Sequence, residues 1–546
     1  MTGGIGNNQA GEQAGMQRSE EEARILANFA RFDAEVQLAE AAYARGALET
    51  AAFFAATAAT VATHAHCGIF ASPRLEHMLN AIGRRIAPRD TGREAGQGGI
   101  CKKVLHVGSE VAAVGGLTRM ISRWMDADTE RVNSLVLTQH RGQIPSHLTD
   151  AVKRSGGQLT LLNQMPGSLF DWARALRRLA AQHDAIICHI HCEDVLPLLA
   201  FADKSGLPPV LFLNHADHLF WLGPSISHLV INLRDAAAAI SVSRRGVESR
   251  RNVLLPTIVD ATVRQCSRRD AKIRLGLDPD SLVLLSVARR PKYRTLDGVS
   301  FADRHVALLK EHPNASLIVV GAGEPEDWLA AKAKVDGRII GLPEQPDPYR
   351  YFEAADIYVD SYPFVSSTSM MEAGGYGLPL VTIFTLPDEA DIFGINHVGL
   401  VGTSLVARTF DEYESILGRL IVDPTYRTQC GEAVRRAMEE FHVPIGWHPR
   451  LDVIFSYAMD LPPRDDDWAV GADIERPRLG VLDAVHEDIV GSTYSAAEIE
   501  MIYMGALPFG QRLSHWRTMR KRGDIRGVAA SARLLLPEWL KRRLKP

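Results

Sequence analysis

From Lys102 onward, short apolar runs alternate with stretches of helical periodicity, and the series restarts near Asp270. The first series opens with KKVLHVG, the glycine-containing loop SEVAAVGG and the helix pattern LTRMISRWM. Its further expected strands are Ser134–Thr138, Gln158–Leu162, Ala185–His191, Pro209–His215, His228–Leu233 and Ala238–Val242. The second series contains Ser281–Ala288, Ala315–Gly321, Gly337–Leu342, Asp356–Ser361 and Pro379–Ile383. Strands separated by helices cannot pair as tight hairpins, so the alternation predicts parallel sheets covered by crossover helices. Such sheets bind ligands beyond the C-terminal ends of their strands. The expected fold is therefore α/β, with two Rossmann-like parallel-sheet domains facing a cleft.

At 546 residues the chain exceeds what one ordinary core supports. The sequence suggests five regions. Residues 1–18 are polar and Gly-rich, and are expected to be disordered; residues 19–99 form an all-α N-terminal region ending in the linker Ala87–Gly99. Residues 100–268 and 269–460 are the two Rossmann-like domains, the second closing on a crossover helix, and residues 461–546 form a C-terminal extension. A hydrophobic fraction of 46% with 23% charged residues describes a globular chain, and a net charge of -4 gives no reason to expect nucleic acid. Six scattered cysteines suit a reducing compartment better than a disulfide framework. The N-terminus lacks the apolar core of a signal peptide, and AAFFAATAATVATHA is too short to span a bilayer, so a cytoplasmic location is expected. From Arg512 to the C-terminus, eleven Arg or Lys stand against two acids, interleaved with Trp516, Trp539 and leucines. That pattern suits a basic amphipathic helix on the anionic inner face of a cell membrane, and equally a solvated helix packed on the protein.

The richest chemical pattern is PFVSSTSMMEAGGYGLPLV, Pro363–Val381. Ser366, Ser367, Thr368 and Ser369 follow an apolar strand and open a helix, where free N–H groups and hydroxyls favour an anion. Glu372, further into that helix, suits ribose hydroxyls. Helix capping alone would use the same serines. Just after Ser281–Ala288, the chain places Arg289, Arg290, Lys292 and Arg294 within six residues, a cluster able to neutralise a leaving group. Gly115 and Gly116 sit where backbone would approach a ligand at a helix start. CHIHCED contains metal-ligand residue types, but strand alternation puts His189 and His191 on one face and Cys188 and Cys192 on the other, so no metal is expected. His191 and Asp194 are expected at a strand end. In LNHADHLFWLG, His215, Asp217 and His218 accompany Phe220 and Trp221; rings and polar groups together suit a sugar, with Asp217 and His218 as candidates for acceptor activation.

The order strand, small-residue loop, Glu-Ala, Gly-Leu-Pro, strand (Glu372–Pro379) resembles the donor-site element of GT-B glycosyltransferases, and the resemblance covers roughly Lys102–Ala458. It is similar to glycosyltransferase family 4 in texture. That retaining family carries a second Glu eight positions before Glu372, where this chain has Phe364. The Ser-Ser-Thr-Ser run is closer to the phosphate loop of the inverting O-linked N-acetylglucosaminyltransferase-like family, so stereochemistry stays open. The resemblance implies that Lys292 and the neighbouring arginines hold a donor diphosphate. It also implies that Gly321 lies in the next strand turn, Pro343 in the loop near the base, and that His215 and Trp221 contact sugar or acceptor. His218, Asp217, Lys292 and His191 are the implied catalytic set. The implied activity moves a sugar from a nucleotide-diphosphate donor, used as a co-substrate without metal or cofactor. The implied acceptor is a glycan, a lipid-linked group or a protein, in cell-surface polysaccharide or glycoconjugate synthesis. The alternatives are a nucleotide-sugar epimerase of the same fold and a non-catalytic scaffold. The N-terminal helices would serve to form a homodimer or to receive an acceptor polypeptide.

Overall fold

The computed structural model describes residues 5–87, 101–112, 115–295, 298–345, 347–462, 468–469, 473–491, 494–526 and 532–544. Most of the expected linker Ala87–Gly99, parts of the connector after Pro462 and of the C-terminal basic stretch, and Ala113 and Val114 lie outside the described residues.

Two compact units form. The first comprises residues 1–232, 237–254 and 451–546; the second comprises residues 233–236 and 255–450. In the first, a parallel sheet is built from β1 (Lys103–Gly108), β2 (Val132–Leu137), β3 (Leu159–Leu161), β4 (Ala185–His189), β5 (Val210–Asn214), β6 (Leu229–Asn232) and β7 (Asn252–Leu254). Its order is β3-β2-β1-β4-β5-β6-β7. In the second, β8 (Leu282–Val287), β9 (Ala315–Val320), β10 (Ile339–Leu342), β11 (Ile357–Val359), β12 (Leu380–Ile383) and β13 (Leu405–Ala407) are ordered β10-β9-β8-β11-β12-β13. Every pairing is parallel, as the helix-separated apolar runs require. In both sheets the order reverses direction beside the first strand, β1 or β8, which is where open α/β sheets bind ligands.

Four expectations need correction. Residues 5–18 are helical: α1 runs from Ile5 to Ala44, its Ala, Gln and Glu content favouring helix and no proline interrupting it. Ala238–Val242 lies within the helix Asp235–Ser243, because a run of four alanines has high helix and low strand propensity. The three-residue edge strands β7 and β13 were not expected; half-exposed and short, they lack a continuous apolar run. The boundary between the sheet-bearing units falls at Leu255 rather than near residue 269, and the terminal regions do not stand apart. Helix α1 turns at Gly46 (φ +75°) into α2 (Leu48–His64), which is followed by α3 (Pro73–Ile86). Helix α2 is buried along most of its length. Its alanines share one apolar core with the first sheet, with Ile499 of the C-terminal extension and, at its margin, with Tyr503 and Trp539.

Candidate functional site

In the second unit, the chain leaves β8 and turns through Arg290–Lys292. Gly321, at φ +101°, lets the β9 turn cross this segment so closely that a Cβ there would meet the Ala288 carbonyl oxygen at 2.4 Å. The Arg290 N–H donates to Gly321 O at 3.1 Å, fixing the turn. Gly341 makes a similar approach, since a Cβ would lie 2.0 Å from Gly323 O. These glycines are there for close backbone passage beside the basic turn.

Lys292 reaches from that turn to the segment after β11. Its Nζ donates to Val365 O at 2.8 Å and lies 4.9 Å from the centroid of the Phe364 ring. Phe364 thus gives the ammonium a ring face. Burial pushes the Lys292 amine down to about 8; Asp360 opposes the shift, while Arg289 and Arg234 add to it. Asp360, 2% exposed, accepts the N–H groups of Ser361 (2.8 Å) and Ser366 (3.0 Å) on Oδ1. Its Oδ2 has no hydrogen-bond partner among the described residues. Burial raises this carboxyl to about 7, with the Ser366 N–H, Lys292 and the Ser361 hydrogen bonds holding it back.

Ser366 is the N-cap of the helix Ser367–Gly375, but its side chain does not cap the helix; its Oγ lies 3.3 Å from Ser369 Oγ. Ser367, Thr368 and Ser369 occupy the first turn, half-buried, where helix geometry leaves N–H groups without intrahelical acceptors. Glu372 falls in the second turn and is 5% exposed. Arg289, Arg290 and Arg294 are exposed around the basic turn, and Pro343 is exposed just past β10. This half of the expected set therefore lies within one unit, at the C-terminal ends of β8, β9, β10 and β11. Asp360 and Arg234 were not among the expected residues. Asp360 was legible as the acid directly after the apolar IYV strand; Arg234 had no local signal, because it comes from a four-residue excursion of the chain into this unit.

In the first unit, Gly115 precedes α4 (Gly116–Ala127), with open space where a Cβ would stand, so packing does not demand glycine there. Beyond β5, His215, Asp217 and His218 share one loop, with His218 Nδ1 3.3 Å from Asp217 Oδ1. Burial lowers the His215 imidazole to about 4. His191 is half-buried past β4, and its N–H is held by Ser109 Oγ at 2.8 Å. Trp221, expected at a sugar or acceptor, is instead enclosed by the fold. It is 1% exposed, stacked on Phe212 at 4.1 Å with the Arg245 guanidinium 4.8 Å from its ring, and so belongs to the core. Asp194 is also internal. Its carboxylate accepts Ser109 Oγ (2.6 Å) and Thr138 Oγ1 (2.5 Å), tying together the ends of β1, β2 and β4. No cluster of three or more His, Cys, Asp or Glu able to hold a metal occurs among the described residues.

The loop bearing His218 is braced by the C-terminal extension. In the helix Val481–Val490, Asp483 Oδ1 meets His66 Nε2 (2.9 Å) and Arg244 Nη2 (2.7 Å), and His486 donates to the His218 carbonyl. Among the described residues, no helix is long and apolar enough to cross a membrane.

Residues 281–405 match the family model described as Glycosyl transferases group 1. No curated protein matches the chain. Among solved structures, a glycosyltransferase from Rickettsia africae ESF-5 is similar at a TM-score of 0.50 and 10% identity, over 66% of this chain and 100% of that one. Anabaena Alr3699/HepE in complex with UDP and glucose is similar at a TM-score of 0.48 and 13% identity, over 65% of this chain and 99% of that one. A Thermobaculum terrenum O-GlcNAc transferase variant is similar at 0.45 and 14%, over 81% and 84%.

Proposed function

Because the chain has the GT-B glycosyltransferase fold and carries a group 1 glycosyl transferase segment at residues 281–405, we propose that it transfers a sugar from a nucleoside-diphosphate donor held by the second unit. One observation carries the reading: Lys292, the Asp360-held N–H of Ser366 and the first-turn residues Ser367, Thr368 and Ser369, whose N–H groups helix geometry leaves without intrahelical acceptors, all belong to one strand-end cluster. Cation and helix N-terminus both favour a diphosphate, and both gain in effect as charge builds on it when the glycosidic bond breaks. Arg289, Arg290 and Arg294 supply attraction at longer range. Glu372 is assigned to the ribose, and Gly321 and Pro343 to the walls around the nucleotide. This chemistry uses no metal. Of the first-unit residues, Asp217 and His218 are assigned to acceptor activation, with His191, His215, Gly115 and Gly116 beside the acceptor or donor. A glycan, lipid-linked or protein acceptor in cell-surface synthesis, at the inner face of the membrane, remains our proposal for context.

The test is thermal denaturation with a panel of nucleoside diphosphates and nucleotide sugars, followed by product analysis. Stabilisation by at least one nucleotide sugar, lost in Lys292→Met, is expected. Stabilisation by none of the panel would sink the reading, and an isomerised donor formed without acceptor would replace it with the epimerase.

A further inference from the structure

The loop after β5 is held by its backbone from within the first unit. Arg245 Nη2 donates to Asp217 O and to Leu219 O, each at 2.7 Å, and His486 Nε2 donates to the carbonyl between them, that of His218. Two side chains from outside the loop thus take three carbonyls in succession. Neither donor has room to shift. Arg245 is 0% exposed, its guanidinium 4.8 Å from the Trp221 ring and 5.2 Å from that of Phe70. His486 is buried, stacked on His66 at 4.1 Å with the Phe70 ring edge-on at 5.9 Å. Burial keeps the His486 imidazole neutral, well below its usual range, and because a carbonyl only accepts, its proton is on Nε2.

Surface loops ordinarily turn their carbonyls to water and move. With three carbonyls pinned, the peptide planes of Asp217, His218 and Leu219 are fixed, and so are the directions in which the side chains leave the chain. In regular backbone neighbouring residues point to different sides, so the 3.3 Å contact between Asp217 Oδ1 and His218 Nδ1 depends on the course of this loop. A carboxylate accepts and does not donate, so Nδ1 carries the proton and Nε2 the lone pair. That is the tautomer in which Nε2 can take a proton while an acid steadies the other ring nitrogen.

We propose that His486, of the C-terminal extension, is a positioning residue that keeps His218 in its Nδ1–H tautomer and so leaves Nε2 to receive the acceptor's proton. This rests on the assignment of Asp217 and His218 to acceptor activation. In that step the acceptor's O–H proton passes to Nε2 as its oxygen bonds the sugar carbon. The bond from that carbon to the diphosphate oxygen breaks, and its electron pair leaves on the diphosphate. The test is nitrogen NMR of the full chain labelled with 15N-histidine at about pH 8, where an ordinary imidazole is neutral. The His218 signals are identified by their loss in His218→Gln. Wild-type protein and His486→Gln, which keeps an N–H donor at similar reach, are expected to show the Nδ1–H tautomer. His486→Leu, without a donor, and His486→Asn, too short to reach, are expected to lower its ratio to the Nε2–H form about tenfold. A cooperative melting transition shows that each variant is folded before its tautomer is read. Wild-type protein without an excess of the Nδ1–H form, a folded His486→Gln that loses it, or a folded His486→Leu or His486→Asn that keeps it, would overturn the assignment. None of these outcomes touches the donor site, which the nucleotide-sugar panel reads separately. The expected tautomers in a chain that no nucleotide sugar stabilises would uphold the hold on His218 and remove the glycosyltransferase reading.

Discussion

Lys292 is pulled two ways, since burial favours its neutral amine while Asp360 favours the ammonium. Its ordinary value lies well above the 8 it is pushed to, so the free protein loses this charge as pH rises through about 8, and below that value keeps it. Affinity for UDP is therefore expected to weaken from about pH 7, as Asp360 ionises beside the site, and to fall by up to tenfold per unit more above about pH 8, as Lys292 loses its charge. Calorimetry across that range checks this, and Lys292→Met should bind more weakly and lose the steeper fall above about pH 8. Glu35 on α1 makes a second case. Burial and the nearby Glu500 raise its carboxyl to about 7 against the pull of Arg31, and its Oε2 has no partner among the described residues. The native state then holds a proton that the unfolded chain has released, so stability falls as pH rises from about 4.5 through about 7. Glu35→Gln should raise the melting temperature by a few degrees at about pH 8 and give no gain at about pH 4.5. Trp221 behaves as a core residue in this account: Trp221→Ala should cost about 3–5 kcal/mol in stability, read by urea unfolding.

Among the elements, the long apolar strands were legible because fully buried parallel strands read as continuous apolar runs. All six strands of the first series other than β7, and all of the second other than β13, fall within or beside expected segments. The strands β7 and β13 and the alanine-rich stretch Ala238–Val242 were not, since the two strands lack a continuous apolar run and alanine serves a buried helix as well as a strand. The glycine turns are elements of a different kind, defined by what passes over them. At Gly321 a side chain would face both a positive φ and the Ala288 carbonyl. Gly321→Ala should destabilise the second unit by about 1–3 kcal/mol and weaken UDP binding, because the same contact sets the course of the Arg289–Lys292 segment. Equilibrium unfolding of the fragment 255–450 separates that loss from effects elsewhere.

Across the whole molecule, the second unit is inserted between the two halves of the first, which is completed only by residues 451–546. The buried position of Ile499 and the packing of Tyr503 and Trp539 on the α2 core mean that the extension covers apolar surface rather than trailing from it. Removing residues 495–546 is expected to lower solubility and the melting temperature of the first unit, while UDP binding by the second unit survives. Differential scanning calorimetry with and without UDP distinguishes the two transitions. The basic tail is in part structural: Arg512 is 4% exposed and donates to the carbonyls of Leu507 and Leu535. A purely membrane-binding helix would have no use for such a buried cation.

The sequence alone determined the two parallel sheets, the helical N-terminal region and the basic turn followed by the hydroxyl-rich helix start, because each is written in local periodicity or in adjacent residues. Only the tertiary structure decided that Trp221 and Asp194 are internal, that Asp360 holds the Ser366 N–H beside Lys292, and that His486 of the C-terminal extension holds the His218 carbonyl. Burial and the partner of a polar atom depend on segments hundreds of residues apart, such as α2 and Tyr503, and no local pattern encodes which of them will meet.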